Sequence, residues 1–206
     1  MLGGQKGWLV LISRRTQRAF TLIEVMIVVA ILAILMTLAL PGFMSWIKNL
    51  QIRNSAESIL NGLQLAKAQA VKSNLNVELV LTDADPVIAN VATKAKTPTG
   101  KNWIVRTYRG SEYKAPVPAL VLPDTDFIQG RIGTEGSKNA TVVAGQDSFA
   151  FTPLGRLVNP DKEIKIDIST ENSYTNRRPM RIIVSPGGQI RMCDPNGPTG
   201  TNPQFC

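Results

Sequence analysis

Residues Phe20–Leu40 read FTLIEVMIVVAILAILMTLAL, twenty-one positions in which Glu24 is the one charged side chain. As a helix rising 1.5 Å per residue, this stretch spans about 31 Å, enough to cross the hydrocarbon core of a bilayer. Lys6, Arg14, Arg15 and Arg18 precede it with no acid among them, and no comparable basic cluster follows at once. That asymmetry predicts a cytoplasmic N-terminus, with the rest of the chain on the other side. A secretory signal peptide has a shorter apolar core and a small-residue cleavage site behind it. Here the run is longer, and no A-x-A site precedes Pro41. A carboxylate inside such a run costs a few kcal/mol and marks a functional position with a partner to be named. Glu24 either snorkels to the interface or pairs with a positive charge in the membrane. A chain cut before Phe20 supplies such a charge, its new α-amino group, four residues away or on a neighbouring subunit.

Charge and composition narrow the function classes. The chain of 206 residues carries 23 basic and 15 acidic side chains, a net charge of +8. Removing the first nineteen residues removes four basic ones, leaving 23 − 4 = 19 against 15, or +4. Much of the basicity is therefore targeting charge and does not argue for nucleic-acid binding. There is no histidine, the commonest general base and metal ligand. Two cysteines without histidine cannot build an ordinary structural zinc site, so no metal or cofactor is expected. Cys193 and Cys206 lie in a Pro/Gly/Asn-rich tail. They read as a disulfide closing a short loop in an oxidising compartment, or as two free thiols in a reducing one.

The stretch R-A-F-T-L-I-E-V-M-I-V-V-A-I-L resembles the prepilin motif of type IV pilins and type II secretion pseudopilins. The family has a basic leader, a cleavage site, Phe at mature position one, Glu at mature position five and a hydrophobic helix. These map to Arg14–Arg18, the Ala19/Phe20 bond, Phe20 and Glu24. Pro41 matches a proline that often kinks or locally melts that helix. The departure is Ala19, where the family nearly always has Gly; alanine is small enough for processing to be expected. The resemblance implies an inner-membrane prepilin peptidase that cuts before Phe20 and methylates its amine. It further implies that Glu24 contacts the Phe20 amine of an adjacent pilin during assembly, and that the folded part is periplasmic.

Beyond Pro41-Gly42 the pattern changes. Ile52, Ala56, Ile59, Leu63, Ala66 and Ala70 recur at steps of four and three, one face of a helix, with Arg53, Glu57, Lys67 and Lys72 mostly off the stripe. From about Asn76, short β-rich runs follow: 77–82, 103–109, 119–122, 148–152, 164–169, 180–184 and 189–193, separated by Gly, Pro, Asn and Asp clusters. Residues 83–102 and 110–147 read mostly as loops. The expected plan is α+β, one long helix against antiparallel sheet. The divisions are a cleaved leader 1–19, a hydrophobic assembly helix 20–42, an amphipathic helix 43–74 and a β-rich domain 75–206. With the prepilin resemblance, this plan implies the type IV pilin fold.

D-S-F-A-F-T-P-L-G-R at 147–156 is similar to the F-x-P-x-G-R stretch of the GspH/FimT group of minor pilins and pseudopilins. M-R-I-I-V-S-P-G-G-Q-I-R-M-C at 180–193 resembles the last hairpin of the FimT/FimU minor pilins, which ends in a cysteine. The resemblance implies a low-abundance structural subunit rather than an enzyme, and no catalytic constellation stands out. Asp161, Glu163 and Asp167, alternating with Lys162 and Lys165, read as a solvated face. Ser185-Pro186-Gly187-Gly188 reads as a hairpin turn, because a strand follows it rather than a helix N-terminus.

Arg177, Arg178, Arg181 and Arg191 crowd the hairpin region, and only Asp194 opposes them there. Arginines gathered on one surface can hold phosphates bidentately, which makes DNA a candidate partner; ordinary surface arginines paired elsewhere are the other reading. Some FimT proteins bind DNA through a Gly-Arg-x-Arg pattern in this hairpin. Here Gly188-Gln189-Ile190-Arg191 keeps the first and last residues and replaces the first arginine. The register decides which side chains share a face. A four-residue loop pairs Val184 with Gln189 and puts Arg191 opposite Ile182. A three-residue loop pairs Val184 with Gly188 and puts Arg191 opposite Arg181.

Overall fold

A computed structural model describes residues 20–87, 96–108, 127–133, 135–158, 162–171, 174, 176–197 and 205–206. The leader with Ala19, the expected strand at 119–122 and Asp161 lie outside the described residues. The elements are α1 (Leu22–Ser73), β1 (Val77–Thr82), β2 (Asn102–Thr107), β3 (Phe127–Arg131), β4 (Ala140–Ala144), β5 (Ser148–Phe151), β6 (Ile164–Thr170), β7 (Met180–Val184) and β8 (Ile190–Cys193). Two compact units divide the chain, Met1–Pro41 and Gly42–Cys206.

In the first unit, Thr21 precedes the helix and its hydroxyl accepts the Glu24 N–H at 3.3 Å, the first half of an N-terminal capping box. Glu24 thus sits in the first turn, where the helix dipole favours a carboxylate. The large apolar side chains from Phe20 to Met36 are 48–79% exposed. No single described helix is long and apolar enough to cross a membrane by itself. Leu22–Thr37 and Gly42–Ser73 taken together pass on length and composition.

In the second unit, the helix buries the stripe its periodicity predicts. Ile52, Ala56, Ile59, Leu63, Ala66 and Ala70 are all 0–1% exposed. They form one core with the inner faces of two antiparallel four-stranded sheets, β3-β2-β1-β5 and β4-β6-β7-β8. The first sheet contributes Val77, Leu79, Leu81, Trp103, Val105, Phe149 and Phe151; the second contributes Val142, Ile166, Ile168, Ile182 and Val184. Close approach of helix to sheet is enforced at Gly62, where a Cβ would stand 2.7 Å from Leu79 Cδ1. One turn earlier, buried Ser58 accepts the Trp103 indole N–H at 3.0 Å, which satisfies a polar group the core would otherwise strand.

β1 is buried on both faces, including Glu78. Its carboxylate bonds Arg106 at 2.7 Å and Lys96 at 3.2 Å. β3 and β4 correct the expectation of loops between 110 and 147. Both are short and flanked by glycine- and asparagine-bearing segments, and each is held by pairing with a strand distant in sequence, β2 and β6.

Candidate functional site

Two places carry residues singled out for function: the first turn of α1 and the end of the second sheet around β7–β8. In the first, Phe20 and Glu24 are both exposed, and among the described residues no cation pairs with the Glu24 carboxylate. A charged group without a partner at the head of an exposed apolar helix is suited to an intermolecular contact.

At the hairpin, both expected registers are corrected. Val184 pairs with Ile190, so Arg191 lies opposite Ile183 and Arg181 opposite Cys193. The loop has three residues, Pro186–Gly188, but begins one position later than expected. Ser185 N–H donates to the Gln189 carbonyl at 2.9 Å, and Gly188 N–H donates to the Ser185 carbonyl at 2.8 Å. Turn chemistry explains the shift. Pro186 presets the first turn position, and Gly188 supplies the left-handed backbone with φ 79°. In this register Arg181 and Arg191 share the outer face of the sheet, offset by two residues.

The four arginines have different surroundings. Arg181 is clamped by Asp167, its direct cross-strand partner, with Nε–Oδ1 2.6 Å and Nη2–Oδ2 3.1 Å. That bidentate bond raises the Arg181 pKa above its ordinary value against a smaller opposing effect of burial. Asp167 therefore clamps an arginine rather than belonging to a merely solvated face. Arg177 reaches the Thr170 carbonyl at 3.5 Å. Arg178 anchors by its backbone N–H to Asn49 Oδ1 at 3.0 Å and leaves its side chain exposed. Arg191 is exposed, and across buried Ile183 from it stands exposed Lys165.

Two residues with no functional reading from the sequence, Lys67 and Asn49, organise this end of the molecule together with the turn around Gly155. Lys67 Nζ donates to the Gly188 carbonyl at 2.8 Å, tying α1 to the hairpin loop. The turn around Gly155, inside the F-x-P-x-G-R stretch, packs on the same loop, with Leu157 N–H donating to the Pro186 carbonyl at 3.2 Å. The two motif segments are thus one structural joint. Asn49 is a clasp: its Nδ2 donates to the Asn176 carbonyl at 3.0 Å, and its Oδ1 accepts Tyr174 OH at 2.8 Å besides Arg178 N–H. Lys48 Nζ lies 5.1 Å from the centre of the Tyr174 ring. Burial raises the Tyr174 pKa, and nearby Arg177 offsets part of that. Lys67 and Asn49 gave no signal beyond being polar positions beside the apolar stripe.

Cys193 and Cys206 are joined in a disulfide with Cα atoms 5.2 Å apart, and Cys206 N–H donates to the Asp194 carbonyl at 3.3 Å. Among the described residues, no group of three His, Cys, Asp or Glu side chains could hold a metal ion.

Residues 14–40 match the family described as the prokaryotic N-terminal methylation motif, and residues 55–188 match Type II transport protein GspH. A relative named Type IV major fimbrial protein FimA, from Dichelobacter nodosus, is 33% identical over 143 residues, covering 69% of this chain and 82% of that protein. Among solved structures, the type IV minor pilin FimU of Pseudomonas aeruginosa is similar with TM-score 0.45 and 20% identity, over 75% of this chain and 98% of that one. The minor pseudopilin EpsH of the Vibrio cholerae Type 2 Secretion System is similar with TM-score 0.41 and 10% identity, over 71% and 99%. With a methylation motif at its head and the GspH match across its folded part, the chain belongs to the GspH family of type IV pilin-like proteins.

Proposed function

We propose that this chain is a minor type IV pilin of the FimT/FimU kind, a structural subunit of a pilus or of its priming tip complex. The observation that carries this reading is the helix of the first unit: exposed apolar side chains from Phe20 to Met36, with Glu24 in the first turn and no cation paired with it among the described residues. In this reading a prepilin peptidase cuts between Ala19 and Phe20 and methylates the Phe20 amine. The subunit waits in the inner membrane with its folded part in the periplasm, and Glu24 then meets the Phe20 amine of a neighbour. Pro41 removes one helical hydrogen bond, so the helix yields there most readily. The type IV fimbrial naming of the relatives at 30–33% identity favours a pilus over a type II secretion pseudopilus. The abundance implied by "major" in those names is opposed by the minor-pilin motifs at 147–156 and 180–193. The test is incorporation: the wild-type chain is expected in sheared pilus fractions at a low ratio to the main subunit, and Glu24→Ala is expected to stay in the membrane. Recovery only with a secretion pseudopilus, or undiminished incorporation of the variant, overturns the reading.

A second reading, capture of DNA at a pilus tip, draws on exposed Arg191, Lys165 and Arg178. Arg181 contributes less, because Asp167 already neutralises it, and Arg177 is turned to a backbone carbonyl. Binding that falls steeply with salt and drops in Arg191→Gln supports this reading; no binding at low salt removes it.

A further inference from the structure

Beside the Asn49 clasp, a groove of about 620 Å³ opens between the helix and the segment leading into β7. Trp46, Leu50 and Met180 give it an apolar wall, Arg53 and Arg178 a basic rim, and Asp194 one acid. Trp46 is 57% exposed and lies beside Phe43, itself 55% exposed, with ring centres 5.9 Å apart and planes tilted by 31°. Just outside lies Lys48 over Tyr174. Arg53 is engaged by Glu57 at 2.7 Å, whereas the guanidinium of Arg178 bonds nothing among the described residues.

Tryptophan and tyrosine with basic residues around them are the side chains that settle at a membrane–water interface, where an amphipathic ring and a snorkelling cation are both satisfied. Trp46 follows Leu40, the end of the apolar run, by less than two helical turns of sequence. The same side chains also serve protein interfaces; their place just past the end of the apolar run is what favours a membrane surface here. Arg178, the rim cation not already bonded to a carboxylate among the described residues, selects among lipids, because an anionic headgroup is attracted to it and a zwitterionic one is not.

We infer that the groove around Trp46, Asn49 and Arg178 is a seat for an anionic phospholipid headgroup, holding the folded unit against the membrane surface before the subunit enters a filament. The inference rests on the membrane-anchored reading given above. Entry into a filament exchanges the lipid for whatever neighbour then covers Trp46.

The test uses the full chain reconstituted in vesicles carrying headgroup-spin-labelled lipid, either anionic or zwitterionic. Trp46 is isolated by subtracting the emission of Trp46→Phe. Anionic label is expected to quench Trp46 about fivefold more effectively than zwitterionic label, the preference one exposed cation confers. Arg178→Gln is expected to bring that ratio near one without altering flotation of the chain with the vesicles. Failure to float overturns the membrane anchor and the headgroup seat with it. A chain that floats but quenches equally with both labels, or whose preference survives Arg178→Gln, overturns the seat alone.

Discussion

Gly188 is the position at which the hairpin loop, the turn around Gly155 and Lys67 of the helix meet, so a single methyl group there should be felt widely. Its φ of 79° places an L side chain in the left-handed region, about 1–2 kcal/mol of local cost. A Cβ built on it would stand 1.8 Å from the Gly155 carbonyl oxygen, which is backbone and cannot turn aside. Relieving that overlap means separating the loop from the turn, about another 1–3 kcal/mol by the usual cost of overpacking. Gly188→Ala is therefore expected to destabilise the folded unit by about 2–5 kcal/mol. At roughly 2–4 °C per kcal/mol for a unit of this size, the melting temperature falls by about 4 °C at the least and about 20 °C at the most. The control is one residue away. A Cβ on Gly187 meets nothing within 4 Å, so Gly187→Ala should stay within about 0.5 kcal/mol of wild type. Thermal unfolding followed by circular dichroism compares the three proteins. Equal melting temperatures for the two alanine variants would refute both the register and the joint built on it.

Other expectations follow from individual contacts. Glu78→Gln removes the buried carboxylate that Arg106 and Lys96 both bond and should cost about 3 kcal/mol in chemical denaturation, while Arg53→Gln at its exposed i,i+4 pair should cost less than about 0.5. Cys206→Ser should lower stability by about 3 kcal/mol in the loop-closure account, read as the difference between oxidised wild type and variant. Asn49→Ala should speed amide exchange at Arg178, whose N–H it accepts, with little change at Ile182. The Tyr174 pKa lies above its ordinary 10.0 when folded, so its contribution is fully present below pH 10 and is lost as pH rises through the folded value. Tyr174→Phe should remove that alkaline loss of stability from a pH series of melting curves.

Much of the fold was legible because it obeys a period. The helical stripe from Ile52 to Ala70 is visible at steps of three and four, and each member lands in the core. β1 and β7 begin and end at the bounds of the β-rich runs 77–82 and 180–184. What escaped reading depends on distant partners. β3 contains Gly130 and β4 is five residues between glycine- and asparagine-bearing turns, so neither has enough local signal to stand out before it is paired. Glu78 looks like the outward residue of a half-exposed strand, and only Arg106 and Lys96, brought from elsewhere, make its burial tolerable. The hairpin slipped by one residue because two adjacent glycines offer two turns, and packing of Gly188 on Gly155 selects one. The arginine cluster was visible as composition, but its division into clamped Arg181 and open Arg191 belongs to that register.

The prepilin motif was the most specific local signal, and the claim it supports is chemical. The decisive measurement is mass spectrometry of the N-terminal peptide of the protein recovered from membranes of cells that make it together with its assembly machinery. The account predicts a peptide that begins at an N-methylated Phe20. A peptide that retains residues before Phe20, or an unmethylated Phe20 amine, would contradict it.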